Sequence, residues 1–169
     1  MRRRVFQIGA ACASGLLSIV VGVYVAFPWL GWSFVRWSTT GVPSISGPEL
    51  ARSLKSDSPP VLLDVRTREE FDVSHLPGAI HFPPGAPIDE AVRSAAELVV
   101  YCSVGVRSAR ELERLRAEGI SSVRNLEGSI FDWAENDRPL VNSAGPTERV
   151  HPYDRLWGRL LARDRHAYE

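Results

Sequence analysis

The residue in this sequence best set up for covalent chemistry is Cys102. The chain has two cysteines, and the other, Cys12, lies in an apolar N-terminal stretch where it reads as a small membrane-buried hydrophobe. Cys102 ends the run Glu97-Leu98-Val99-Val100-Tyr101, and Ser103-Val104-Gly105-Val106-Arg107-Ser108 leads from it into a strongly helical stretch. A thiol at the end of a strand, curled over a helix N-terminus, sits among unpaired backbone N–H groups. Those groups and the helix dipole favour thiolate over thiol. This is the setting of a nucleophile. No Cys/His cluster has metal-ligand spacing, since His75, His81, His151 and His166 are scattered, so neither a metal nor a cofactor is expected.

The elements that must position the thiol follow from the flanking sequence. Pro43–Ile45 reads as a short strand, and Ser46-Gly47-Pro48-Glu49 as a capping box opening a helix to about Lys55. Val61-Leu62-Leu63-Asp64-Val65 is a continuous apolar run suited to a buried parallel strand. Thr67-Arg68-Glu69-Glu70 is a second capping box, Pro77-Gly78 turns the chain into a strand at Ala79–Phe82, and Leu98–Tyr101 is the strand before Cys102. A helix from about Ser108 to Glu118 carries Leu112 and Leu115 on one face and stops at Gly119. Val123–Leu126 is a further strand, and Gly128 precedes a helical segment through Trp133. Strands alternating with helices predict an α/β domain with a mainly parallel sheet flanked by helices. In such sheets sites lie at the carboxyl ends of strands, where Cys102, Asp64 and the nearby Arg66 all stand.

These strings resemble the rhodanese family. Val61-Leu62-Leu63-Asp64-Val65-Arg66 with Glu70-Phe71, then His75-Leu76-Pro77-Gly78-Ala79-Ile80, is similar to the first half of a rhodanese domain. Tyr101–Ser108 is similar to its active-site loop, and Asn125-Leu126-Glu127-Gly128 with Trp133 to its closing segment. The resemblance covers roughly residues 42–140. It implies sulfurtransferase chemistry in which Cys102 takes sulfane sulfur from a small donor such as thiosulfate or a persulfide and passes it to a thiophilic acceptor. The loop residues Ser103, Val104, Gly105, Val106 and Ser108 would hold the anion through their N–H groups. Arg107 would close the loop, brace it and add positive charge. Asp64 and Arg66 would orient the pocket without reacting, and His75 would make a structural hydrogen bond. Four residues separate Cys102 from Arg107; cysteine phosphatases of similar fold have five, so the smaller loop favours sulfur over phosphate. Two features depart from the family. Gly128-Ser129 stands where a Gly-Gly pair is common. The loop carries no basic side chain except Arg107, so its neutral rim (Ser103, Val104, Val106) predicts that thiosulfate is a poorer donor than a persulfide or polysulfide. The alternative to turnover is a rhodanese-fold binding or sulfur-relay module serving a membrane-associated partner, with a protein as sulfur acceptor.

The two ends of the chain have a different character. Residues 1–40 hold four arginines and no acid, leaving 16 basic and 20 acidic residues in 41–169. That mild acidity argues against a nucleic-acid partner. Met1-Arg2-Arg3-Arg4 precedes an uncharged stretch from Val5 to Val35, which is long enough to cross a bilayer. Tyr24, Trp29, Trp32 and Trp37 suit an interfacial belt. Residues 1–37 therefore read as a single transmembrane helix with a cytoplasmic N-terminus and an extracytoplasmic domain; export with signal cleavage is the alternative, and Arg3-Arg4 partly matches a twin-arginine signal. Residues 38–41 read as a linker and 42–140 as the domain. Residues 141–169 read as a second linker and an amphipathic helix, with Leu156, Trp157, Leu160 and Leu161 on one face and Arg155, Arg159 and Arg163 at spacings of four. Packing on the domain surface, docking to a partner, or lying on a membrane would each suit such a helix.

Overall fold

The computed structural model describes residues 22 and 25–168. Residue 22 and residues 25–38 form the described part of helix α1. Strand β1 (Ser44–Ile45), helix α2 (Gly47–Ser53), β2 (Val61–Asp64), α3 (Arg68–Val73), β3 (Ile80–His81), α4 (Glu90–Arg93), β4 (Leu98–Tyr101), α5 (Val106–Ala117), β5 (Val123–Leu126) and α6 (Ser129–Glu135) follow. Two more strands, β6 (Leu140–Asn142) and β7 (Gly145–Thr147), form an antiparallel pair. The main sheet has the order β1-β5-β4-β2-β3 with every pairing parallel.

Successive side chains of a strand point to opposite faces, and both faces of this sheet are covered. Leu62, Val99, Tyr101 and Leu126 pack on one side with Leu50 of α2 and Ile130, Phe131 and Trp133 of α6. Leu63, Val100, Leu98 and Val123 pack on the other with Val92 of α4 and Leu112 and Leu115 of α5. This is why the central strands read as unbroken apolar runs and not as alternating ones. Ser46 caps α2 by accepting the Glu49 N–H, but the Glu49 carboxylate pairs with Arg124 instead of closing the box. Helix α4, which has no counterpart among the expected elements, is a single turn capped by Asp89.

The C-terminal end departs from expectation, and so do the surroundings of the described part of the N-terminal end. Most of the predicted membrane span, residues 1–21, 23 and 24, lies outside the described residues. Among the described residues no helix is long and apolar enough to cross a membrane. The part of the span that is described packs on the domain. Val35 is buried in the core, Phe27 meets Trp157 edge-on at 5.9 Å, and the Leu160 methyls lie against Gly31. Trp29 stays 80% exposed.

The predicted linker at 141–146 contributes to the β6–β7 pair, and Val141 exchanges two backbone hydrogen bonds with His75, so the domain continues past residue 140. The predicted C-terminal amphipathic helix does not form. Trp157–Leu160 and Arg163–Arg165 are short 3-10 turns. Asp154 Oδ1 accepts the N–H groups of Leu156 and Trp157, Gly158 is pressed against Pro152, and His166 Nε2 donates to the carbonyls of Gly158 and Leu161. These contacts hold the backbone in tight turns. Leu160 and Leu161 are buried while Leu156 is exposed, so the supposed apolar face is split.

Leu115 is fully buried under the sheet. Leu115→Ala is expected to lower the unfolding free energy by about 2–5 kcal/mol, measured by urea denaturation followed by circular dichroism.

Candidate active site

Cys102 follows β4 directly and is 1% exposed. The Val65 N–H donates to Tyr101 O, so the β2–β4 ladder holds the chain up to the thiol. The loop then curls back over it, and the Gly105 N–H points at Cys102 Sγ from 3.1 Å. Gly105 adopts φ +110°, a conformation that side chains resist.

The curl has an identifiable cause. The first N–H groups of a helix lack partners inside the helix. Two such groups of α6, on Ile130 and Phe131, donate to the carbonyls of Cys102 and Ser103 at 3.2 and 3.1 Å. Asn125 Nδ2 donates to Gly105 O at 3.1 Å. With these carbonyls drawn outward, the loop can present N–H groups to the sulfur. Ser129 stands at φ +52° where glycine would be easiest, and its hydroxyl accepts the Cys102 N–H at 3.2 Å. The Gly-to-Ser departure thus adds a tether to the backbone of Cys102.

Arg107, on the first turn of α5, reaches back to Glu70. Its two terminal nitrogens donate to the two Glu70 oxygens at 2.8 and 2.7 Å, and one also donates to Ser103 Oγ at 2.9 Å. The Ser103 hydroxyl in turn donates to Glu70 Oε1 at 2.9 Å. Glu70 is 2% exposed and also closes the capping box of α3, accepting the Thr67 N–H at 3.0 Å. The sequence shows Glu70 as a capping residue but not as a site residue; its partner lies 37 positions away. Burial opposes its ionisation, but Arg107 and the Thr67 N–H outweigh burial and hold the carboxyl at about 2.

Burial also pushes the Cys102 thiol up. The charge of Arg107 and the groups of Ser108 and Gly105 facing the sulfur more than offset this, so its pKa lies below the ordinary value. Among the described residues the Ser108 hydroxyl has no partner in hydrogen-bonding geometry, yet it lies close enough to the sulfur to favour the thiolate. The guanidinium of Arg107 is also covered on one side by the ring of Tyr153, whose centroid is 4.6 Å from Cζ. Nothing in the sequence pattern links these two residues.

The other expected site residues fall into two groups. Ser103, Gly105 and Ser108 are buried around the thiol, whereas Val104 turns into the core that includes Val35 of α1. The expected neutral rim is therefore reduced to Val106, which is half-buried beside Arg107. Asp64 and Arg66 form a fully buried ion pair, with Arg66 Nε and Nη2 on the carboxylate and Nη2 also donating to Ser74 O. No hydrogen bond links this pair to Cys102. It braces the turn into His75 and Leu76, and the Leu76 N–H donates to the hydroxyl of Tyr101. His75 Nδ1 donates to Phe71 O at 3.0 Å, a structural bond of the kind expected.

A family model described as a rhodanese-like domain matches residues 47–136. Among solved structures, the thiosulfate sulfurtransferase of Pseudomonas aeruginosa is 23% identical with a TM-score of 0.57, over 71% of this chain and 24% of that one. A rhodanese-related protein of Thermoplasma volcanium is 27% identical with a TM-score of 0.51, over 59% of this chain and 97% of that one. A protein of unknown function from Rhodopseudomonas palustris, described as a possible tyrosine phosphatase, is 22% identical with a TM-score of 0.51, over 62% of this chain and 89% of that one. No protein of curated function matches the sequence.

Two outcomes are expected from the electrostatics. A carboxyl held at about 2, against an ordinary 4.5, stabilises the fold fully above pH 4.5, and that contribution is lost as pH falls toward 2. Acid unfolding monitored by fluorescence should show this loss, and Glu70→Gln should flatten it. The pH midpoint of Cys102 alkylation by iodoacetamide should lie below that of a free thiol and rise in Arg107→Gln.

Proposed function

This chain belongs to the rhodanese-like domain family, and on that basis we propose that it is a sulfurtransferase with Cys102 as its sulfur carrier. The observation that carries the reading is the Gly105 N–H directed at Cys102 Sγ from 3.1 Å inside a loop clamped by Arg107 and Glu70. Such an environment stabilises a sulfur anion without a general base beside it.

In the first half-reaction the Cys102 thiolate attacks the sulfane sulfur of the donor. A new S–S bond forms at Sγ, the donor's own bond to that sulfur breaks, and sulfite or a thiolate leaves with the electron pair. The resulting persulfide anion extends one atom beyond Sγ. In the second half-reaction a thiolate or cyanide attacks that outer sulfur, and the Cys102 thiolate is regenerated. Arg107 supplies charge and holds the loop's shape, and Ser103 links it to Glu70.

Loop length supports sulfur over phosphorus as the transferred element. Arg107 is also committed to Glu70 by two hydrogen bonds, which leaves it poorly placed to grip a phosphoryl group. The near-complete burial of Cys102 favours one competing reading, a module that holds sulfur for a docked protein acceptor without free turnover.

Intact mass of the full chain after exposure to thiosulfate or a persulfide donor tests the proposal. A gain of one sulfur atom, removed by cyanide and absent in Cys102→Ser, is expected. Arg107→Ala should slow loading by about 10²-fold, the scale for losing one preorganised electrostatic group. Loading that cyanide cannot discharge would identify the relay module, and no loading with any donor would refute the assignment.

A further inference from the structure

The C-terminal segment, beyond the residues matched by the family model, returns to the active site and delivers one side chain there. Its path is fixed by backbone hydrogen bonds. The buried Val150 donates to Arg165 O and accepts from the Ala167 N–H, which joins residue 150 to residues 165–167. The Arg149 guanidinium donates to Asp164 O, and the Ala162 N–H donates to the Glu135 carboxylate at the end of α6. Between these anchors the chain makes an abrupt reversal. The Asp154 N–H donates to Pro152 O at 2.8 Å, closing a three-residue γ-turn around Tyr153. Tyr153 stands at φ +67°, where a side chain is strained, and its own N–H donates to His151 Nδ1 at 3.1 Å. Burial lowers the pKa of His151, which keeps the ring neutral and able to accept that bond.

A strained aromatic residue fixed by its neighbours on both sides points to a role for its side chain. The ring of Tyr153 covers one face of the Arg107 guanidinium at 4.6 Å and remains 45% exposed. Arg107 therefore meets Glu70 and Ser103 along its edge and Tyr153 on its face. A small inorganic dianion arriving at Cys102 finds the site's clamp cation already paired with Glu70 along its edge and covered on one face. The carrier group of an organic persulfide finds an exposed aromatic surface on Arg107, the residue whose charge acts on the thiol.

We propose that Tyr153 is a specificity-determining residue that makes an organic persulfide the preferred donor over thiosulfate. This rests on Cys102 being the sulfur carrier and narrows the donor class at that site. The ring acts on the donor through contact with its organic group and on Arg107 by stacking, and takes no part in bond making.

The test is the rate of Cys102 loading in the full chain, read by rapid quench and intact mass, as a function of glutathione persulfide or thiosulfate concentration. Wild type should load faster with the persulfide. Tyr153→Ala should reduce the persulfide-to-thiosulfate preference by about tenfold, the scale of a partly desolvated aromatic–cation contact. The change should fall on the half-saturating concentrations and not on the limiting rates. Tyr153→Phe should keep the preference. Tyr153→Leu, which retains bulk without the aromatic face, should behave like the alanine variant and serves if that one fails to fold. Equal slowing with both donors, an unchanged ratio, or a wild-type preference for thiosulfate would overturn the role of Tyr153 while leaving the sulfur carrier intact. Failure of the wild type to load with either donor would overturn both readings.

Discussion

A carboxylate buried to 2% exposure must be surrounded by donors, and around Glu70 that requirement brings distant parts of the chain together. Its oxygens accept from the Thr67 N–H, the Ser103 hydroxyl and both terminal nitrogens of Arg107. One group therefore starts α3, shapes the loop after β4 and orients the first turn of α5. The arrangement is strongly interdependent, because removing one partner of a buried ion pair leaves the other charge without compensation. Asp64 and Arg66 form a second buried pair, and the charges of Glu70 and Arg66 act on each other. Cys102 is held beside a framework of paired charges.

The backbone completes that framework. A parallel sheet ends with its strand termini and helix starts at one edge, where polar groups of both kinds lack partners. Here the surplus donors of α6 meet the surplus carbonyls of the Cys102 loop. The fold resolves two deficits by joining them, and the loop's curvature follows from the match. Gly105 permits the turn, and Asn125 fixes its far end.

How much of this could be read in the sequence depended on the range of the interactions. The central strands were legible because Val61–Asp64 and Leu98–Tyr101 are buried on both faces and show it as apolar runs. The start of α3 was legible because Thr67 and Glu70 are a local pair. Cys102 and Arg107 were legible as a spacing. Glu70 as the partner of Arg107, and Tyr153 as its cover, were not, because each contact closes a long loop that no local pattern records. The β6–β7 pair was missed because its strands are three residues each and include Gly145 and Pro146, which read as turn residues. The C-terminal segment misled in the opposite direction. Its leucines and arginines have helical spacing, but Pro152 against Gly158 and the bifurcated bond of His166 impose tight turns. At the N-terminal end, hydrophobicity suggested lipid as the surroundings of Val35, which instead lies in the protein core.

The strand that carries the thiol is the middle one of five, with β2 on one side and β5 on the other. Both rows of its backbone groups are engaged, and its side chains are buried on both faces. Such a strand opens only when the whole domain opens, so its amides belong with the slowest to exchange with solvent. The sulfur consequently has a fixed origin and almost no reach of its own. Under the proposed chemistry a persulfide would move the reactive atom outward by one bond, and any further travel would fall to the donor or acceptor.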